Sequence, residues 1–179
     1  MVAGRGREKS MRKMKRAEMH QYHIPEDPAI LQAAGMVSFR HTHLDYELRM
    51  TVKTLTGVRP DEAIDATEGQ VSGALRRRVL TLAKRILGDG DTFVRLEALI
   101  ERCKQATEER NRLIHDVCVR DKDGNPYIQT RGRKRQPLPK VEDLSDLWDE
   151  LTRLTQEVSN ARLDGFLAEA LKKKNKRVS

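Results

Sequence analysis

Hydrophobic positions in this 179-residue chain recur at steps of three and four in four stretches, the spacing that gathers side chains on one face of an α-helix. The first stretch carries Ile30, Leu31, Val37, Leu44, Leu48, Val52 and Leu55. Pro25 and Asp27-Pro28 mark its start, with Pro28 at the first helical position, and Gly57 stops it. The second opens at Pro60, where Asp61 and Glu62 suit the positive end of a helix dipole, and continues through Val71, Leu75, Val79, Leu82 and Ile86. Gly69 and Gly73 can split it, and Gly88-Asp89-Gly90 ends it. The third starts near Asp91 and carries Phe93, Leu96, Leu99, Ile100, Cys103, Ala106, Leu113, Ile114 and Val117 with no Gly or Pro inside. The fourth runs from Val141 through Leu144, Leu147, Leu151, Leu154, Val158 and Ala161, with Trp148 beside the stripe. It is a long amphipathic helix that could form a paired seam.

Between the third and fourth helices the period changes. Val117 to Gln129 holds two β-leaning stretches around an Asp123-Gly124 turn, which predicts a short hairpin or loop excursion. Arg131 to Lys140, with Pro137 and Pro139, reads as extended linker. The expected fold is all-α, an up-down four-helix bundle with that excursion between helices three and four. Residues 25–170 are expected to form a single helical domain, residues 1–24 a basic disordered tail, and residues 171–179 a basic C-terminal tail.

Charge sharpens this picture. The chain has 35 Lys+Arg against 27 Asp+Glu, a formal net charge of +8. Seven Lys/Arg and one Glu lie within residues 1–16, and five Lys/Arg with no acid lie within 171–179, so residues 17–170 are formally −3. The basic character belongs to the ends and to one internal run, Arg131, Arg133, Lys134, Arg135 and Lys140. Such runs are either solvated or hold phosphates in a salt-dependent way. An aromatic content of 4% excludes a base-stacking platform for single strands. No stretch approaches the roughly 18 apolar residues of a membrane span, and no apolar segment follows the basic N-terminus before His20, so neither a membrane helix nor a secretory signal is expected.

Cys103 and Cys118, if both lie on the third helix, are about 22 Å apart and cannot bridge, so the chain reads as reduced and cytoplasmic. There is no CxxC or HExxH, and His41 and His43 face different ways on a helix. No metal and no cofactor are expected.

One polar intrusion breaks the third stripe. Taking Arg110 as 0° on a helical wheel, Leu96, Cys103, Ile114 and Val117 fall within about 40° of it, so Arg110 points toward the core seam. Asn111 lies at about 100° and His115 at about 140°, on one margin of that seam. A guanidinium aimed into an apolar face is costly unless it is paired or lines a cleft.

Arg110-Asn111-Arg112-Leu113-Ile114-His115 resembles the Arg-x4-His motif of the HEPN superfamily, in which a polar residue commonly follows the Arg. The bare spacing is unspecific in so arginine-rich a chain. The specific features are Asn after Arg, two aliphatics before His, and a place near the end of a long third helix with one more long helix after it. The resemblance implies a helical bundle and a metal-independent endoribonuclease whose site forms where two motifs meet across a dimer or across two domains of one chain; with one motif here, a homodimer is expected. Members include toxins of toxin–antitoxin pairs and anti-phage or stress-defence RNases. Others are inactive and bind RNA or a protein partner such as an antitoxin.

The residue types suit this chemistry. His115 can act as base or acid near neutral pH, Arg110 can stabilise a crowded phosphorane with its donor fork, and Asn111 can orient the imidazole or hold a phosphate oxygen. The run Arg131, Arg133, Lys134 and Arg135 would bind the RNA backbone. The plainer reading of the same positions is a core arginine paired with a buried acid and a histidine packed at a helix end. Some toxin members carry a Tyr two residues after the motif His that a partner nucleotidyltransferase modifies; here the position is Val117, which argues against that control. No helix-turn-helix spacing or C2H2 pattern supports a DNA-binding regulator.

Overall fold

Asp27 accepts a hydrogen bond from the Ala29 amide at 2.8 Å, and Pro28 follows at the first helical position, so the first helix begins at the expected cap. The computed structural model describes residues 24–130 and 134–178, in which the chain is mostly helical with a small three-stranded sheet. The helices are α1 (Pro28–Thr56), α2 (Pro60–Asp65), α3 (Ser72–Leu87), α4 (Asp91–His115), α5 (Val141–Leu163) and α6 (Phe166–Val178). The strands are β1 (Val117–Arg120), β2 (Pro126–Gln129) and β3 (Arg135–Gln136). Gly57 ends α1 in the left-handed region, at φ 73°, with its amide bonded to the Lys53 carbonyl at 2.9 Å. The expected tail over residues 1–24 lies outside the described residues except for Ile24.

The chain divides into two compact units: a helical one of Glu26–His115 with Pro139 onward, and a smaller one that includes Asp116–Leu138. In the helical unit, α1 packs most extensively on α5 and also against α3, while α4 packs against α3 and α5. One core cluster joins Val37 and Leu44 of α1, Leu99, Cys103 and Ala106 of α4, and the α5 stripe from Leu144 to Ala161. A second joins Leu48, Val52 and Leu55 of α1 to Leu75, Val79 and Ala83 of α3, Phe93, Leu96 and Ile100 of α4, and Leu167 of α6. Each fully buried Leu or Val contributes about 1.5–3 kcal/mol relative to an exposed position, so these stripes hold the unit together. Glu47 and Arg162, only 15% and 11% exposed, add an ion pair of 2.8 Å between α1 and α5. Among the described residues no helix is long and apolar enough to cross a membrane.

Three details differ from the sequence expectations. The fourth helical stretch ends at Leu163, close to its expected last apolar position, Ala161, but after Asp164-Gly165 a further helix, α6, that the sequence reading did not anticipate starts at Phe166. The Gly165 amide turns back to the Asn160 carbonyl at 2.8 Å, and a Cβ at Gly165 would sit 2.9 Å from that oxygen, so a side chain is excluded by the close approach. Val117 and Cys118, taken as continuing the third helix, belong to β1, because the helix ends at His115. Both cysteines are free thiols on different elements. The linker from Arg131 to Lys140 contributes β3, which pairs its Gln136 with Ile128 and its Arg135 with Gln129; backbone pairing to an open strand edge leaves no hydrophobic period to read.

In the smaller unit β1 and β2 pair antiparallel, Val117 opposite Gln129 through Arg120 opposite Pro126. Asp121 closes the turn: its carboxylate accepts from the Asp123 amide at 3.0 Å and the Asn125 amide at 2.8 Å, and Gly124 takes φ 85°. These amides, that of Asn125 foremost, hold the Asp121 carboxyl below the usual range. Val119, Tyr127 and Ile128 are buried, and the Arg135 guanidinium stacks 4.7 Å from the Tyr127 ring centre.

Candidate functional site

The last turns of α4 carry the motif, and Arg110 does point inward. It is half-buried, its Nη1 donates to Asn111 Oδ1 at 3.0 Å, and its Nε is buried with no hydrogen-bond partner. The plainer sequence reading, in which a buried acid pairs with it, finds no support: among the described residues Arg110 takes part in no ion pair. Asn111 accepts from Arg110, so it orients the guanidinium. The helix backbone reaches His115, but the His115 side chain lies outside the described residues.

Facing Arg110 are polar side chains that the motif does not include. Three helices each contribute a pair at helical spacing: His41 and Asp45 from α1, Ser72 and Arg76 from α3, Thr107 and Arg110 from α4. The Ser72 hydroxyl donates to Asp45 Oδ2 at 2.9 Å and lies 3.4 Å from His41 Nε2. Its one proton goes to the carboxylate, which leaves its oxygen to accept from His41. His41 Nδ1 lies 3.8 Å from Asp45 Oδ2. Arg76 Nη1 donates to Thr107 Oγ1 at 2.9 Å, and that hydroxyl donates in turn to the Cys103 carbonyl at 2.7 Å. Asp45 Oδ1 is buried without a partner.

The electrostatics are unbalanced toward positive charge. Burial holds the His41 imidazole below its ordinary pKa; Asp45 opposes this, and the Arg110 and Arg76 charges reinforce it, so His41 is neutral at pH 7. Burial also lowers Arg76, against the pull of Asp45 and more distant acids. Neither guanidinium has an ion-pair partner among the described residues, although the charges of Asp45, Glu108 and Glu101 act on Arg76, and Asp45 accepts a hydrogen bond from Ser72. Nearby Cys103 is fully buried and its thiol is pushed up to about 12 by desolvation, which excludes it as a nucleophile.

A tertiary support positions this cluster. Arg49 of α1 donates to Thr67 Oγ1 at 2.7 Å, to the Thr67 carbonyl, and to the Gln70 carbonyl at 3.3 Å. It thereby ties down the connection that delivers Ser72 at the start of α3. A second concavity, about 460 Å³ and lined by Arg95, Arg102, Glu157 and Phe166, differs in kind. There Arg102 is satisfied by Glu157 at 2.6 Å and Glu150 at 3.4 Å, and the bonds from Arg102 hold the Glu157 carboxyl below its usual range. Arg102 there is paired with carboxylates and Arg95 lies 4.4 Å from the Phe166 ring centre, whereas Arg76 and Arg110 are in no ion pair among the described residues.

Of the basic run expected to bind RNA, Lys134 and Arg135 are exposed in the smaller unit, while Arg131 and Arg133 lie outside the described residues. His41, Asp45, Ser72 and Arg76 escaped the sequence reading, although a signal existed. His41 falls between Val37 and Leu44 in the register of the buried α1 stripe, and Ser72 falls three before Leu75 in that of α3. A polar residue at an apolar register position is the same sign that singled out Arg110. In comparisons with known proteins, no family model, no curated protein and no solved structure matches this chain.

Proposed function

We propose that the chain is a HEPN-like, metal-independent endoribonuclease that acts as a homodimer, with its four long helices in the up-down arrangement of such bundles. The observation that carries this reading is the half-buried, unpaired Arg110 guanidinium at the end of α4, five residues before His115, in a cluster with excess positive charge. A half-buried guanidinium whose Nε has no acceptor is costly unless an anion reaches it. In the proposed reaction His115 takes the proton of a ribose 2′-hydroxyl, and the 2′-oxygen attacks the adjacent phosphorus. The P–O5′ bond breaks, leaving a 2′,3′-cyclic phosphate, and an imidazolium, from the second copy of His115, protonates the departing 5′-oxygen. Arg110 neutralises the phosphorane oxygens, and Asn111 holds Arg110 in place. Lys134 and Arg135 attract the RNA backbone, and a role in toxin–antitoxin pairing or phage defence fits such an activity.

A second reading, a non-catalytic helical module that binds RNA or a protein partner, is favoured by the solvent-facing apolar side chains of α1: Phe39 is 71% exposed, and Leu31, Met36 and Tyr46 are exposed near it along the helix. Total RNA incubated with the purified protein in EDTA separates the two. The wild type is expected to cleave, and Arg110→Ala and His115→Ala to lose cleavage by at least about a hundredfold. Absence of wild-type cleavage, or equal cleavage by all three proteins, refutes the nuclease.

A further inference from the structure

We infer that Arg76 of α3 and Arg110 of α4 together form, within a single chain, a binding site for one phosphate group of a nucleic-acid backbone. The inference deepens the proposed function, resting on it for the role of Arg110, and assigns Arg76, which lies outside the motif. Each guanidinium has five N–H donors in a planar fork. Arg76 uses one on Thr107, Arg110 uses one on Asn111, and neither is in an ion pair among the described residues. In the same unit Arg59, Arg102, Arg112, Arg153 and Arg162 have carboxylate partners, while Arg49 is held by hydroxyl and carbonyl oxygens and Arg40 and Arg95 lie over aromatic rings.

Arg76 reaches Thr107 at 2.9 Å, one turn before Arg110 on α4, and both arginines are only partly exposed, with the charge of each acting on His41. Asp45 makes no ion pair with either, although its charge acts on Arg76; its Oδ2 accepts from Ser72 and its Oδ1 is buried without a donor. An anion entering between α3 and α4 would satisfy the buried Arg110 Nε and the unused donors of Arg76 together. A phosphate diester, with two charged oxygens and two bridging ones, offers acceptors to two forks at once; a carboxylate is matched by one. His41, held below its ordinary pKa by burial and lying beside Ser72 and Asp45, adds no competing charge.

The test uses full-length protein and inorganic phosphate as probe, with acetate and chloride at matched ionic strength. The wild type is expected to gain about 3 °C or more in Tm at phosphate concentrations tenfold above the Kd. That gain is expected to vanish in Arg76→Gln and Arg110→Gln and to persist in Arg77→Gln, whose side chain is exposed on the same helix. Broadening of the 31P resonance of phosphate reads binding directly should a variant melt early, and Arg76→Lys is expected to restore part of it. A shift that acetate reproduces, that survives Arg76→Gln, or that Arg77→Gln removes equally overturns the site. Phosphate binding without RNA cleavage would remove the nuclease and keep this site; cleavage that survives Arg76→Gln, with no phosphate shift in the wild type, would do the reverse.

Discussion

Replacing Arg110 by Met separates a guanidinium kept for function from one kept for the fold. Met fills a similar volume without charge. The substitution removes one hydrogen bond, to Asn111, whose donor is charged and which contributes about 1.5–3 kcal/mol before partial exposure is discounted. It also removes a buried Nε–H that has no acceptor, which costs the native state about 1–3 kcal/mol. The two sides nearly cancel, so the variant is expected to be as stable as the wild type or up to about 1.5 kcal/mol more so, a rise in Tm of at most about 5 °C. RNA cleavage should disappear. Arg162→Met calibrates the scale: losing the partner of the largely buried Glu47 carboxylate costs about 3–5 kcal/mol, offset in part because this variant too removes a buried Nε–H with no acceptor. Urea unfolding of the three proteins decides the matter. If Arg110→Met lost more than about 2 kcal/mol, approaching the Arg162 variant, Arg110 would have a structural partner and its assignment to catalysis would fail.

Two further outcomes follow from the geometry. Because His41 is held below its ordinary value of 6.5, the unfolded chain binds a proton there that the folded chain refuses. Stability from this residue is full above pH 6.5 and declines as pH falls from there to the folded value. His41→Asn should therefore show a shallower loss of urea midpoint between pH 7.5 and 5.5 than the wild type, and parallel slopes would contradict the burial argument. Gly165→Ala should lose about 1–3 kcal/mol in the same assay, since the new methyl meets the Asn160 carbonyl at 2.9 Å and the Ala161 Cα at 3.1 Å; an unchanged midpoint would show that the α5–α6 junction yields freely.

The long helices were legible because their stripes and stops are local. Val37 through Leu55, Leu75 through Ala83 and Leu144 through Ala161 repeat at the helical period, and Pro28, Gly57 and Gly88 punctuate them with fixed backbone preferences. The inward aim of Arg110 was legible for the same reason, since rotation about one helix axis is a property of one segment. The break at Gly165 was not. Its amide reaches the Asn160 carbonyl only because the chain bends sharply there, and an isolated Gly within an apolar period does not distinguish a bend from a tolerated small residue. The short β3 strand was hidden too, because two residues paired to an edge carry no period of their own.

The sequence by itself determined the helical period, the caps and the isolated cation on the third long helix. Only the tertiary structure decided what that cation faces. Positions 41, 45, 72, 76, 107 and 110 lie far apart along the chain, and their meeting depends on how α1, α3 and α4 pack around the two core clusters. Each pair looks like an ordinary polar interruption in its own helix. Brought together, they set two guanidiniums that lack an ion-pair partner among the described residues near a carboxylate that accepts from a serine, an arrangement that no single helix reveals.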